Sequence, residues 1–281
     1  LEAVYTALDT KTHTIVIGQD EDAYRQKILM PGLEHGQKPG LSALQALLQH
    51  PCLILKGDPG SGKSTFISHL SLCLAKHHLE PDGKWLQRLD GWPSEMCPIP
   101  LTIVLRDFVR AQPANLPSPC PRCLLEFLRK TLADASLSGC GQALEAALEL
   151  GHAIVFLDGL DEVPTDAQRE FVRVCALQFA ERFRHSRLAL TCRTIPYQAM
   201  RTREEDSPPA SGCQGLRLAD VPDFELAPFN DDQIAAFITA WYTAHVPKPF
   251  AREVADERRQ ALQQALQRPE LRRLAGNPML L

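Results

Sequence analysis

Residues 57–65 read Gly-Asp-Pro-Gly-Ser-Gly-Lys-Ser-Thr and constrain the fold more than any other stretch of the chain. The apolar run Cys52–Lys56 stands directly before them. Directly after comes a segment with Phe66, Ile67, Leu70 and Leu74 at helical core spacing. Glycine lets the backbone curl so that successive N–H groups face one concavity, and the following helix adds the positive end of its dipole there. Such a concavity suits phosphate oxygens. Every defined position of G-x-x-x-x-G-K-[ST] is filled, in the strand–loop–helix context that gives the pattern its meaning. Gly57, Asp58, Pro59, Gly60, Ser61, Gly62, Lys63, Ser64 and Thr65 are therefore the expected nucleotide-binding residues. Lys63 would reach the β- and γ-phosphates, and the Ser64 hydroxyl would ligate Mg²⁺.

The rest of the chain supplies a matching frame. Apolar runs at Leu101–Leu105, Ala153–Leu157, Leu188–Thr191 and, more weakly, Phe224–Leu226 read as strands. Helical spacing precedes or separates them at 41–48, 143–150 and 167–183. Uninterrupted apolar strands alternating with helices predict an α/β P-loop NTPase with a mainly parallel five-stranded sheet, covered by helices on both faces. Beyond residue 230 the strands stop. Asn230-Asp231 caps a helix carrying Ile234, Phe237, Ile238, Trp241 and Tyr242 on one stripe, and helical spacing resumes over 251–266 and from Leu271. The expected division is an unassigned lead-in over 1–40, a nucleotide-binding domain over 41–229 and a small helical subdomain over 230–281. Within the first, a short apolar stretch lies around Thr14–Ile17 and turns mark 31–40; residues 200–223 read as an exposed loop. The chain begins at Leu1 and ends inside an apolar run at Leu281, as a piece of a longer protein would.

Ala153–Leu157 runs into Asp158-Gly159-Leu160-Asp161-Glu162, three acids within five residues at a strand's carboxyl end, where ligands sit in such sheets. Asp158 is placed to hold Mg²⁺. Asp161 or Glu162 could polarise the attacking water, and the two adjacent acids are not ranked by sequence. Leu188–Thr191 leads into Cys192-Arg193, an arginine that can reach a γ-phosphate. The separation of these elements suits a strand inserted between the phosphate-loop strand and the acidic strand.

Composition narrows the partners. Thirty Lys+Arg against 34 Asp+Glu give a net charge of −4, which argues against nucleic acid or an anionic membrane as a partner chosen by bulk charge. No apolar run approaches the roughly 20 residues of a membrane helix. Nine irregularly spaced cysteines, several within apolar runs, fit reduced thiols in a cytoplasmic setting. Cys120-Pro121-Arg122-Cys123 has metal-knuckle spacing, but lacks a second matching pair and reads as the entry to a helix. His77-His78 reads as a solvated pair at a helix end.

At Asp158-Gly159-Leu160-Asp161-Glu162 the chain resembles the NACHT family of signal-transducing P-loop ATPases, which includes Nod-like immune receptors and bacterial antiviral defence proteins. Ile99-Pro100-Leu101 to Leu105-Arg106-Asp107, Thr191-Cys192-Arg193-Thr194 and Phe224–Phe229 are similar to further segments of that family, as is Gly276-Asn277-Pro278-Met279-Leu280-Leu281. The resemblance covers roughly residues 50–281. It implies a slow ATPase acting as an ATP/ADP switch, with Pro278 near the base and sugar of the nucleotide. It also implies partner domains in the parent chain (winged-helix, sensor and effector) and homo-oligomerisation on activation. A phosphotransferase with a small acceptor would need lid arginines, for which Arg201 and Arg203 are the candidates. A nucleotide-locked scaffold without meaningful hydrolysis is the other alternative.

Overall fold

In the computed structural model the described residues are 6–11, 41–197, 220–244 and 251–281. The stretch at Thr14–Ile17, the turns over 31–40, Arg201, Arg203 and most of the loop expected over 200–223 lie outside them.

Six strands form one sheet: β1 (Thr10–Lys11), β2 (Cys52–Lys56), β3 (Ile99–Val104), β4 (Ala153–Asp158), β5 (Arg187–Cys192) and β6 (Asp223–Leu226), in the order β1-β6-β2-β5-β4-β3. The five expected strands are all parallel. β1 adds a two-residue antiparallel edge, with Thr10 opposite Leu226. β5 lies between β2 and β4, so the inserted strand is the one that leads into Arg193.

Alternation along the strands explains why both faces are covered. On β4, Val155 and Leu157 join one core with Ile54, Leu188 and Leu190. Ile154 and Phe156 join the other, with Leu53, Leu55 and Ala189. The first core is closed by α3 (Leu105–Arg110), α4 (Pro121–Asp134), α5 (Gly141–Glu149) and α6 (Asp166–Arg182). The second is closed by α1 (Ala43–Gln49), α2 (Lys63–Leu79) and the tail helices α7 (Asp231–Ala244) and α9 (Pro269–Ala275), with α8 (Ala251–Ala265) between these two in sequence. No helix among the described residues is long and apolar enough to cross a membrane.

Two local expectations need correction. Leu105 does not end β3 but opens α3, because Leu105, Phe108 and Val109 are buried together at helical spacing. His77 is not solvated: it is half-buried on α2 with Nδ1 enclosed, while the exposed His78 meets the Cys97 thiol at 3.4 Å. The cap at Asn230 forms as expected. Its side chain accepts from the Gln233 N–H at 2.9 Å, and the Gln233 side chain accepts from the Asn230 N–H at 2.8 Å.

The chain's two described ends meet over the phosphate loop. The Leu8 carbonyl accepts from Ala43 N–H and the Asp9 carbonyl from Ala227 N–H. Gln233 on α7 donates to the Ala7 carbonyl at 2.8 Å. Ile234 and Ile238 bury α7 against the core, and Phe229 N–H donates to the Gly276 carbonyl at 2.8 Å.

Candidate functional site

The phosphate loop connects β2 to α2 through left-handed backbone at Gly60 (φ +75°) and Gly62 (φ +92°). Those angles already favour glycine, and space enforces the choice. A Cβ on Gly60 would stand 2.6 Å from Met279 Cβ and 2.8 Å from Asn277 Oδ1; one on Gly57 would stand 2.6 Å from Ser61 Oγ. Lys63, in the first turn of α2, folds its ammonium back onto the loop, donating to the carbonyls of Gly57 at 2.7 Å and Asp58 at 3.0 Å. Burial lowers the Lys63 pKa from its ordinary value, with the Asp161 carboxylate opposing that shift. A polyanion placed beside this ammonium relieves part of its desolvation.

The acidic strand end sits across β5 from the loop. Thr191 links the two: its hydroxyl donates to Asp158 Oδ1 at 2.5 Å and accepts from Gly159 N–H at 2.8 Å. One carboxylate oxygen of Asp158 is thus fixed by the inserted strand. Asp161 turns the other way and is nearly enclosed, its side chain 7% exposed. Its Oδ2 takes the Arg193 Nε at 2.7 Å, and its Oδ1 takes the Arg193 backbone N–H at 3.0 Å. Glu162 is half-exposed and, among the described residues, its carboxylate pairs with a peripheral cation, Arg106 Nη1 at 3.3 Å. The two neighbouring acids therefore differ in what they are free to do. Burial also keeps the adjacent Cys192 thiol neutral, its pKa pushed up to about 12.

A cavity of about 590 Å³ joins these parts. Pro59 to Thr65 form its floor, and Asp158, Asp161, Glu162 and Arg193 one wall. Pro278 reaches the same cavity from the tail, together with Met279, Phe229 and Phe237. Gly57 and Asp58, the first two residues of the motif, serve instead as the acceptors that hold Lys63.

Sequence reasoning missed several participants. Thr6 and Leu8 line the cavity from a segment given no role. Leu8 lies 3.2 Å from where a Gly62 Cβ would stand. Asn277 donates to the Pro59 carbonyl at 2.9 Å, pinning the tail to the loop 218 residues away in sequence. Thr191 carried the one available signal, a polar residue inside an apolar strand.

No curated protein sequence matches the chain significantly. Among solved structures it is similar to a Walker-type ATPase of Pyrococcus abyssi, at 15% identity and a TM-score of 0.43, over 84% of this chain and 62% of that one. The chain thus spans less than two thirds of that protein's length. The family model described as NACHT domain matches residues 51–245, well over half of the chain. That match runs from the residue before β2 past the end of α7, so it takes in the phosphate loop, the acidic strand end and Arg193, and this chain belongs to the NACHT family.

Proposed function

We propose that the chain is the ATP/ADP-binding switch domain of a larger cytoplasmic signalling protein, of the innate-immune or antiviral-defence kind, and that it hydrolyses ATP slowly. The observation that carries this reading is the shared cavity. Phosphate loop, acidic strand end and helical tail all line it, so a nucleotide held there would touch both the core and the element that would move.

The loop N–H groups and the Lys63 ammonium would bind the phosphates, Lys63 exchanging its carbonyl partners for phosphate oxygens. Ser64 and Asp158 would hold Mg²⁺, which when bound neutralises charge on the β- and γ-phosphates. Among the described residues no cluster of three or more His, Cys, Asp or Glu could hold a metal ion. The ion would therefore arrive with the phosphates and keep several waters, as Mg²⁺ does.

Glu162 is the general base of this reading, because both oxygens of Asp161 are already held by Arg193. Asp161 then serves as the positioning partner of Arg193. A γ-phosphate would compete with Asp161 for that guanidinium, which gives Arg193 two settings according to the nucleotide bound. Pro278, beside the base, would tie the tail subdomain (230–281) to the nucleotide-binding domain (41–229). Winged-helix, sensor and effector domains of the parent chain would read the change, and homo-oligomerisation would follow.

The test is to identify by chromatography the nucleotide that stays with the purified chain, then to follow phosphate release from ATP with Mg²⁺. Bound ADP or ATP and slow turnover support the switch. Phosphate transfer to a small acceptor in place of release would favour a phosphotransferase. Absence of nucleotide binding would overturn the reading altogether.

A further inference from the structure

Cys120 and Cys123 belong neither to the nucleotide site nor to the deep core. Cys120 is the N-cap of α4, in extended conformation at φ −154° and ψ 162°, and Pro121 opens the helix. One turn on, Cys123 comes back over the cap, and the two sulfurs lie 3.4 Å apart. A third thiol lies deeper. Cys175 on α6 is fully buried in the core cluster that Cys123 packs against. Burial raises the Cys175 pKa well above the ordinary thiol value, so this thiol stays protonated.

Two plainer readings fail on these observations. A metal knuckle needs about four ligands, and no such group occurs among the described residues. Thiols used only as small apolar fillers would be enclosed, as Cys175 and Cys192 are, whereas Cys120 and Cys123 are both half-exposed. We propose that Cys120 and Cys123 are a redox-active dithiol, closing to a disulfide by exchange with a small-molecule disulfide such as oxidised glutathione.

Position at the helix start decides the order of events. Cys120 stands at the helix entry, ahead of the first turn, while burial raises the pKa of Cys123. The Cys120 thiolate attacks one sulfur of glutathione disulfide and forms a mixed disulfide, expelling the first glutathione as its thiolate. Cys123 then attacks the Cys120 sulfur and expels the second. The protein loses two thiol protons and two electrons; two glutathione thiols carry them away. At 3.4 Å the two sulfurs are already neighbours, and closing the pair asks them to approach to the roughly 2 Å of a disulfide.

The reduced chain should be incubated with oxidised glutathione under native conditions and its mass and linked peptides followed, with the exposed Cys140 as internal reference. The expected result is loss of two hydrogens mapped to the Cys120–Cys123 pair, reversed by dithiothreitol. Cys123→Ser should accumulate glutathione on Cys120, and Cys175→Ser should still close the pair. Stable glutathione on Cys120 of the unaltered chain, a Cys123–Cys175 bridge, or modification confined to Cys140 would each overturn the proposal.

Discussion

The cavity has a floor and a lid of different origin. The floor, residues 59–65, is a single stretch whose shape follows from its own glycines and from the helix that starts at Lys63. The lid comes from both described ends of the chain, Thr6 and Leu8 from one and Pro278 and Met279 from the other, with Asn277 bonding the tail to the Pro59 carbonyl. A local structure of this kind tolerates little change in its residues and much change elsewhere. An assembled one depends on packing, so its contribution is spread over several moderate contacts. The floor should therefore decide whether nucleotide binds at all, and the lid should decide how firmly and with what effect on the tail.

Five substitutions would break or sharpen that contrast. Lys63→Ala should have the largest effect, weakening nucleotide binding by about 10³-fold or more as charge-assisted contacts to phosphate are lost. The half-exposed lysine packs against no core, so the melting temperature of the free protein should hardly change. Calorimetry giving near-normal ATP affinity would remove the floor from its assigned role. Glu162→Gln should keep affinity and slow phosphate release by about 10²–10³-fold, since an amide cannot take the proton. Asp161→Asn, if it slowed release as much while leaving Arg193 in place, would reverse the roles given to the two acids.

Leu8→Ala tests the lid directly. Leu8 is 4% exposed against Gly62, and its truncation should cost about 2–3 kcal/mol of stability, read from chemical denaturation. Loss below about 0.5 kcal/mol would mean that the N-terminal segment does not belong to the folded unit. Asn277→Ala should have the smallest effect. Without the hydrogen bond to Pro59, nucleotide affinity should fall by about 3- to 10-fold, and the rise in melting temperature on adding ADP should shrink with it.

The same contrast explains what could be read in advance. The phosphate loop and Asp158-Gly159-Leu160-Asp161-Glu162 were legible because their requirements are local, glycine angles in one case and a strand end in the other. Most of the stripe on α7 was legible at helical spacing: Ile234 and Ile238 are buried with Phe237 and Tyr242 against them, whereas Trp241, expected on the same stripe, is exposed. β1 was not, because two residues carry no periodicity, and its order comes from pairing with β6. Nor could sequence distinguish Asp161 from Glu162. Their difference comes from Arg193, just past β5, and Arg106, in the first turn of α3. Leu105 shows the remaining limit, since an apolar residue at a boundary is equally buried in either state.

The sheet's edges bear on how copies of this fold can meet. β1 occupies the β6 edge, leaving β3 as the other border. Ile99 N–H points inward to the His152 carbonyl, so the outward donors of β3 fall at positions 100, 102 and 104. The first of these is Pro100, which has no hydrogen to give, and the chain turns into α3 immediately after Val104. Only Thr102 and Val104 remain to bond a foreign strand, too few for a stable ladder. Copies crowded into one assembly would be protected from fusing edge to edge, and their contacts would fall to helices and loops.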